Sequence, residues 1–209
     1  MSDPVPVHPR KFTYADYRTW PEDERWELID GEALAMTPGP GTLHQIIFRG
    51  LFRQLDAFLR GGPCQLFSDP YEFRLARPGQ SEDEITDVVK PDLAVVCDPS
   101  RYDGKGGIGA PDFVIEILSP SSASRDQVAK RRLYERHGVR EYWVVDPEER
   151  LVFVARRSAA GTYGGTDIHD AEGLALEVAA FPGLTVRFDE VFPPRPKVVR
   201  ESPAPYHPG

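Results

Sequence analysis

A chain of 209 residues with ordinary globular proportions of apolar and charged side chains allows one domain with a substantial core, and excludes a fibre or a repeat array. Its net charge of -8 argues against nucleic-acid binding driven by global charge, because such binding rests on neutralising phosphates. No apolar run approaches the roughly 18 to 20 residues that span a bilayer, and Met1-Ser2-Asp3-Pro4 lacks the basic and apolar regions of a leader, so the expectation is a cytoplasmic protein without membrane contact.

Residues 1–12, with Pro4, Pro6 and Pro9, read as an extended lead-in. Thr13 is placed to cap a short helix through Tyr17 to Trp20, ended by Pro21. Trp26 to Ile29 and Glu32 to Met36 flank Asp30-Gly31, a two-residue hairpin signal that sets Glu27 within a strand. Thr42-Leu43-His44-Gln45 reads as a capping box, and Leu43, Ile46, Ile47, Leu51, Leu55, Phe58 and Leu59 recur at helical spacing until Gly61-Gly62. Strands are expected at Gln65 to Phe67, Tyr71 to Leu75, Leu93 to Cys97 and Phe113 to Leu118, separated by the acidic loop Ser81 to Asp87 and the glycine-rich loop Asp103 to Gly109. Cys64 and Cys97 lie in apolar surroundings without metal-ligand spacing, so they read as small buried hydrophobes rather than a zinc site.

The strands from Leu93 and Phe113 are apolar on both faces, which predicts a sheet covered above and below by helices. Ser124-Arg125-Asp126-Gln127 signals the start of one such helix, running to His137 with Gly138 as its left-handed stop. Strands follow at Glu141 to Val145 and Leu151 to Ala155, then weaker antiparallel alternation from Thr162 to Phe188. Residues 13–192 thus form a single α/β (α+β) domain, and residues 193–209 a proline-rich tail without a core of its own.

Two carboxylates break the apolar strands: Glu116 within Phe113 to Leu118, and Asp92 at the head of Leu93 to Val96. An ionised carboxylate left unpaired in a core costs several kcal/mol or protonates. On neighbouring strands they would supply two hard oxygen ligands, which suits Mg²⁺ or Mn²⁺ and the phosphodiester chemistry such ions support. A buried ion pair to Lys130 or to an arginine accounts for Glu116 equally well. Asp92 by itself also fits a strand-entry residue bonding a turn, and Asp112 a residue bonding local backbone.

These residues resemble the PD-(D/E)XK nuclease superfamily, and specifically its bacterial branch of restriction-endonuclease-like proteins long known as a domain of unknown function. The resemblance runs from about Tyr14 to Phe192. It is carried by Trp26-Glu27-Leu28-Ile29-Asp30-Gly31-Glu32, His44-Gln45, Lys90-Pro91-Asp92-Leu93, the run Ala110 to Ser121, Asp126 with Lys130 and Tyr134, and Gly138 to Trp143. It implies a restriction-endonuclease-like central mixed sheet with flanking helices, metal-dependent DNA cleavage, and Asp92 and Glu116 as ligands of Mg²⁺ or Mn²⁺.

Leu118 stands where the superfamily places its lysine. In this branch the lysine comes from the following helix, where Lys130 matches, with Asp126 and Tyr134 a turn to either side of it. Asp126 would orient the ammonium group, and Lys130 would position or deprotonate the attacking water or stabilise charge on the phosphate.

Glu27 is either a further ligand or outer support of the metal, or a solvent-facing strand residue; His44 is either a site-lining residue or a packed histidine. Arg125, Arg132 and Arg136, with Arg140 beyond them, form a stripe that is either a solvated face or a phosphate contact. Two cuts across a duplex would call for a homodimer. The alternative to an endonuclease is a catalytically idle nuclease fold serving as a nucleic-acid-binding or oligomeric interaction module, favoured by the displaced lysine and the acidic charge.

Overall fold

The computed structural model describes residues 10–21, 23–36, 41–119 and 125–195, with the side chains of residues 125–127 excepted. The expected lead-in and most of the expected tail therefore lie outside the described residues. The elements in chain order begin with α1 (Tyr14–Tyr17), β1 (Trp26–Ile29), β2 (Glu32–Ala35), α2 (Thr42–Leu59), β3 (Gln65–Ser68) and β4 (Phe73–Arg74). Next come β5 (Val88–Val89), β6 (Leu93–Val96), β7 (Tyr102–Asp103), β8 (Gly106–Ile108) and β9 (Phe113–Ile117). After α3 (Arg125–His137) follow β10 (Glu141–Asp146), β11 (Leu151–Arg156), β12 (Asp167–Asp170), β13 (Ala175–Glu177) and β14 (Thr185–Arg187).

Two mixed sheets organise all of these strands except β13 and β14, which pair antiparallel with each other. The first has the order β12-β11-β10-β9-β6-β3, and its central pair β9 and β10 is parallel because α3 forms the crossover between them. The second has the order β2-β1-β5-β4-β8-β7. The hairpin signal holds: Ile29 pairs with Glu32, and Asp30 and Gly31 adopt φ of 52° and 77°, the two positive values that a type I′ turn requires. Gly138 likewise ends α3 with φ of 86°.

Strand alternation on β9 separates two cores. Phe113, Ile115 and Ile117 face Ile47, Leu51 and Leu55 of α2 and the C-terminal segment through Phe192. Gly50 permits that packing, since a Cβ there would lie 2.7 Å from the Cα of Val191. Val114 and Leu118 face the other way, toward Leu133 and Tyr134 of α3 and toward Ile29, Phe73 and Val89 of the second sheet. Glu116 shares that second face.

Several expectations change. Thr42 is the first residue of α2 and Gly41 its N-cap, with no side-chain capping bond, so the expected capping box at Thr42 is absent. The glycine-rich loop at Asp103 to Gly109 contains β7 and β8, because Gly107 accepts the ring of Phe73 where a Cβ would clash. One face of the first sheet is covered by α3 together with the second sheet, not by helices alone.

Cys64 and Cys97 form a disulfide, not a pair of free buried thiols. The antiparallel register that sets Gln65 opposite Val96 brings the two cysteines opposite each other one step further along. No described helix is long and apolar enough to cross a membrane.

Candidate active site

The second face of β9 meets α3 and β1 at a cluster of buried charges. Glu116 is 9% exposed, Glu27 5% and Lys130 8%. Lys130 Nζ donates to Glu116 Oε1 at 3.0 Å and to Glu27 Oε1 at 3.1 Å, and lies 3.0 Å from Glu27 Oε2. Tyr134 Oη donates to the same Glu116 Oε1 at 2.8 Å. Both of these bonds fall on Oε1, so neither occupies Oε2. Glu27 Oε1 also accepts the backbone N–H of Lys90 at 2.8 Å, which ties β1 to the segment entering β6.

Asp92 completes the group from the head of β6. Its Oδ2 accepts the backbone N–H of Ile117 at 2.7 Å, one residue from Glu116, and its Oδ1 lies 3.3 Å from His44 Nε2 in the first turn of α2. Five elements, β1, α2, the head of β6, β9 and α3, thus deliver Glu27, His44, Asp92, Glu116 and Lys130 to one place, with Tyr134 beneath.

The charge count is unbalanced: Glu27 and Glu116 share one ammonium, and the third carboxylate, Asp92, lies beside them against His44. Burial pushes the Glu116 carboxyl up; Lys130 opposes this, Asp92 and Glu27 add to it, and the result is about 7. Lys130 moves well above the usual lysine range because Glu116 and Glu27 outweigh its desolvation. Burial and the neighbouring Glu116 also raise Tyr134, which keeps its hydroxyl a donor. For His44, burial works to lower the pKa, but the hydrogen bond and charge of Asp92, with Glu116 beyond, raise it on balance.

Among the described residues no group of three His, Cys, Asp or Glu side chains is set for metal coordination. Asp92 and Glu116 form a pair of hard oxygen donors, and a pair suits Mg²⁺, which is commonly held by one or two carboxylates with retained water. The fit rests on that donor set and on the surplus of negative charge.

Residues 14–189 match the family described as "Uma2: Putative restriction endonuclease". The chain belongs to this family. It is 29% identical over 126 residues to "Uncharacterized protein slr1290" of Synechocystis, an alignment covering 59% of this chain and 62% of that relative, less than two thirds of its length. A crystal structure described as that of "a putative nuclease belonging to DUF820" from Anabaena variabilis superposes with a TM-score of 0.67 at 24% identity, over 87% of this chain and 97% of that one. That likeness shows the mixed α+β, restriction-endonuclease-like fold. Family membership supports nuclease function in general terms.

The expected residues come together unequally. Glu27, His44, Asp92, Glu116, Lys130 and Tyr134 converge, while Leu118 packs in the core with its N–H donated to Val145. The side chains of Asp126 and Arg125 lie outside the described residues; among the described residues Glu27 and Glu116 hold the ammonium of Lys130. Arg136 pairs with Asp30 at 2.9 Å and with Asp87 at 3.3 Å. It therefore braces α3 against the hairpin. Arg132 is exposed. Asp112 bonds backbone, but not locally: it accepts the N–H of Cys97, 15 residues away just past β6. Sequence reasoning missed Lys90, whose backbone anchors Glu27, and the aromatic residues from Tyr14 to Trp26 that pack near it; the aromatic density of that segment was the available signal.

Proposed function

We propose that this chain is a metal-dependent endonuclease that hydrolyses phosphodiester bonds in DNA, with Mg²⁺ or Mn²⁺ held by Asp92 and Glu116. The observation that supports this reading is the gathering of three carboxylates, only two of them paired with the single ammonium of Lys130, an arrangement that leaves negative charge for a cation to offset. When bound, a divalent ion would acidify a water and neutralise the scissile phosphate.

The remaining work falls to the chain itself. Lys130, aligned by Glu27 and Glu116, is placed to hold the attacking water or to donate to charge developing on the phosphate, the role its superfamily position at Leu118 no longer serves. Tyr134 orients Glu116 by donating to Oε1, and His44 abuts Asp92 from α2. A homodimer would set one site against each strand of a duplex.

Plasmid cleavage with Mg²⁺, Mn²⁺, Ca²⁺ or chelator tests the reading, together with calorimetric Mn²⁺ titration of wild type, Asp92→Asn and Glu116→Gln. Metal-dependent cleavage, and Mn²⁺ binding that both variants weaken severely, are expected; equal binding in all three proteins would refute it. The ion pairs that Lys130 makes with Glu27 and Glu116 offset part of the buried charge without a metal, and they favour a second reading, an idle nucleic-acid-binding or interaction module. Absence of cleavage on every DNA and RNA substrate would favour that module.

A further inference from the structure

Beside the carboxylate cluster, on the opposite face of the second sheet, lies a cavity of about 260 Å³ whose walls are aromatic. Tyr17, Trp20 and Trp26 form it, with Glu24, Glu72 and Lys90 at its polar points. Trp20 stands 5.4 Å from the Tyr17 ring and 5.6 Å from the Trp26 ring, centroid to centroid.

Hydrogen bonds hold these walls in place. Tyr14 and Tyr17 both donate to the Glu72 carboxylate, at 3.3 and 3.0 Å, and Trp26 Nε1 donates to Glu24 at 2.8 Å. The rings therefore do not need to be ordered by a ligand, which lowers the entropy lost on binding.

Lys90 makes this a candidate for an anionic aromatic ligand. Its ammonium lies 5.6 Å from the Tyr17 centroid, and among the described residues no carboxylate is within ion-pair distance of it. The lining carries two cations, Arg18 and Lys90, and two carboxylates, Glu24 and Glu72, that Trp26 and the two tyrosines already engage, so a heterocycle with an attached phosphate meets π faces and the ammonium of Lys90. The cavity is also tied to the candidate active site through two chain positions. Trp26 precedes Glu27 on β1, and alternation sends the two side chains to opposite faces. Lys90, whose N–H Glu27 accepts, leads through Pro91 into Asp92.

We propose that this cavity takes one unpaired nucleobase next to the cut, stacked on Trp20, with its phosphate on Lys90. The substrate would be engaged as a single strand, or as a duplex with one nucleotide extruded. The ligand class rests on the nuclease reading above; the cavity and its test do not depend on turnover.

The test is titration of the full chain with a single-stranded thymidine oligonucleotide in Ca²⁺, read by tryptophan fluorescence and repeated with an intact duplex and with a duplex carrying one unpaired base. Quenching by the single strand is expected, and by the bulged duplex as well if extrusion is the source. Trp20→Ala should weaken single-strand binding by about 5- to 150-fold, the range that stacking on one aromatic covers. Trp20→Phe should restore most of it, and Lys90→Gln should lower the slope of log affinity against log salt by about 0.7.

Unchanged affinity in both Trp20→Ala and Lys90→Gln, or binding of intact duplex alone without quenching, overturns the proposal. Should Trp20→Ala fail to fold, Trp20→Phe and Lys90→Gln decide it by the same readouts. Wild-type cleavage separates the two readings: quenching by a wild type that never cleaves supports the cavity and removes the nuclease, while cleavage indifferent to Trp20 and Lys90 does the reverse.

Discussion

One helix carries two buried charge clusters, and they are built in opposite ways. Along its middle, Lys130 and Tyr134 meet Glu116 and Glu27, with Asp92 close by, so that carboxylates outnumber cations. At its end, a single carboxylate, Asp87 at 1% exposure, receives His137 at 3.0 Å, Arg136 at 3.3 Å and the backbone N–H of Asp30 at 2.7 Å. Burial by itself would raise Asp87, but those donors prevail and lower it; at Glu116 burial and like charge prevail and raise it. The Asp87 cluster joins α3 to the β1–β2 hairpin and is complete. The Glu116 cluster is short of positive charge, and a site that gathers carboxylates at a cost in stability is a candidate for function.

The largest expected separation between the clusters is in cleavage. Lys130→Ala should reduce DNA cleavage by about 10²- to 10⁴-fold, with Lys130→Arg restoring only part because a guanidinium neither fits the same point contact nor gives up a proton. Arg136→Ala should leave single-turnover cleavage within a few-fold of wild type. Equal losses in the two variants would erase the distinction.

Stability should order the clusters the other way. Asp87→Asn is expected to destabilise the fold by roughly 1 to 3 kcal/mol, because Arg136, His137 and the Asp30 N–H lose their shared acceptor. Glu116→Gln relieves repulsion and leaves Lys130 paired with Glu27, so its metal-free stability should stay within about 1 kcal/mol of wild type. Denaturant unfolding with chelator present measures both, and a larger loss in Glu116→Gln would show that its cluster is a structural ion pair.

Acid should distinguish them as well. A carboxylate whose folded pKa is lowered contributes stability above its unfolded value of about 3.9, and loses that contribution as pH falls through the folded value. Asp87→Asn should therefore flatten the acid limb of the stability profile, while matching wild type most closely at the lowest pH where both remain folded. An unchanged acid limb would remove Asp87 from the account.

The smallest expected effect concerns the exposed face of the same helix. Arg132→Ala should lower the slope of log affinity against log salt by about 0.9 on duplex DNA if the guanidinium contacts a phosphate. The same measurement on Arg136→Ala should show no loss of slope, since Asp30 and Asp87 already engage that side chain. Equal slopes in wild type and Arg132→Ala would leave α3 a solvated face.

Local patterning determined much of this protein. The Asp30-Gly31 turn, the apolar stripe of α2, the doubly apolar β6 and β9, and the stop at Gly138 follow from backbone preferences and periodicity acting within a few residues. Glu116 and Asp92 stood out for the same reason, as carboxylates where burial forbids an unpartnered charge. What those carboxylates touch was decided only by tertiary structure. Glu27 meets Lys130 across a sequence separation of 103, and the choice between a solvated strand residue and a site residue turns on which face of β1 looks toward α3. The disulfide depends on the β3–β6 register, which nothing near either cysteine specifies. Arg136 and Arg132 look alike in sequence and both are exposed, yet one is held by Asp87 from a distant loop and the other makes no ion pair among the described residues. Propensity and burial act on neighbours along the chain, whereas charge pairing acts on neighbours in space, and only the folded sheets bring those together.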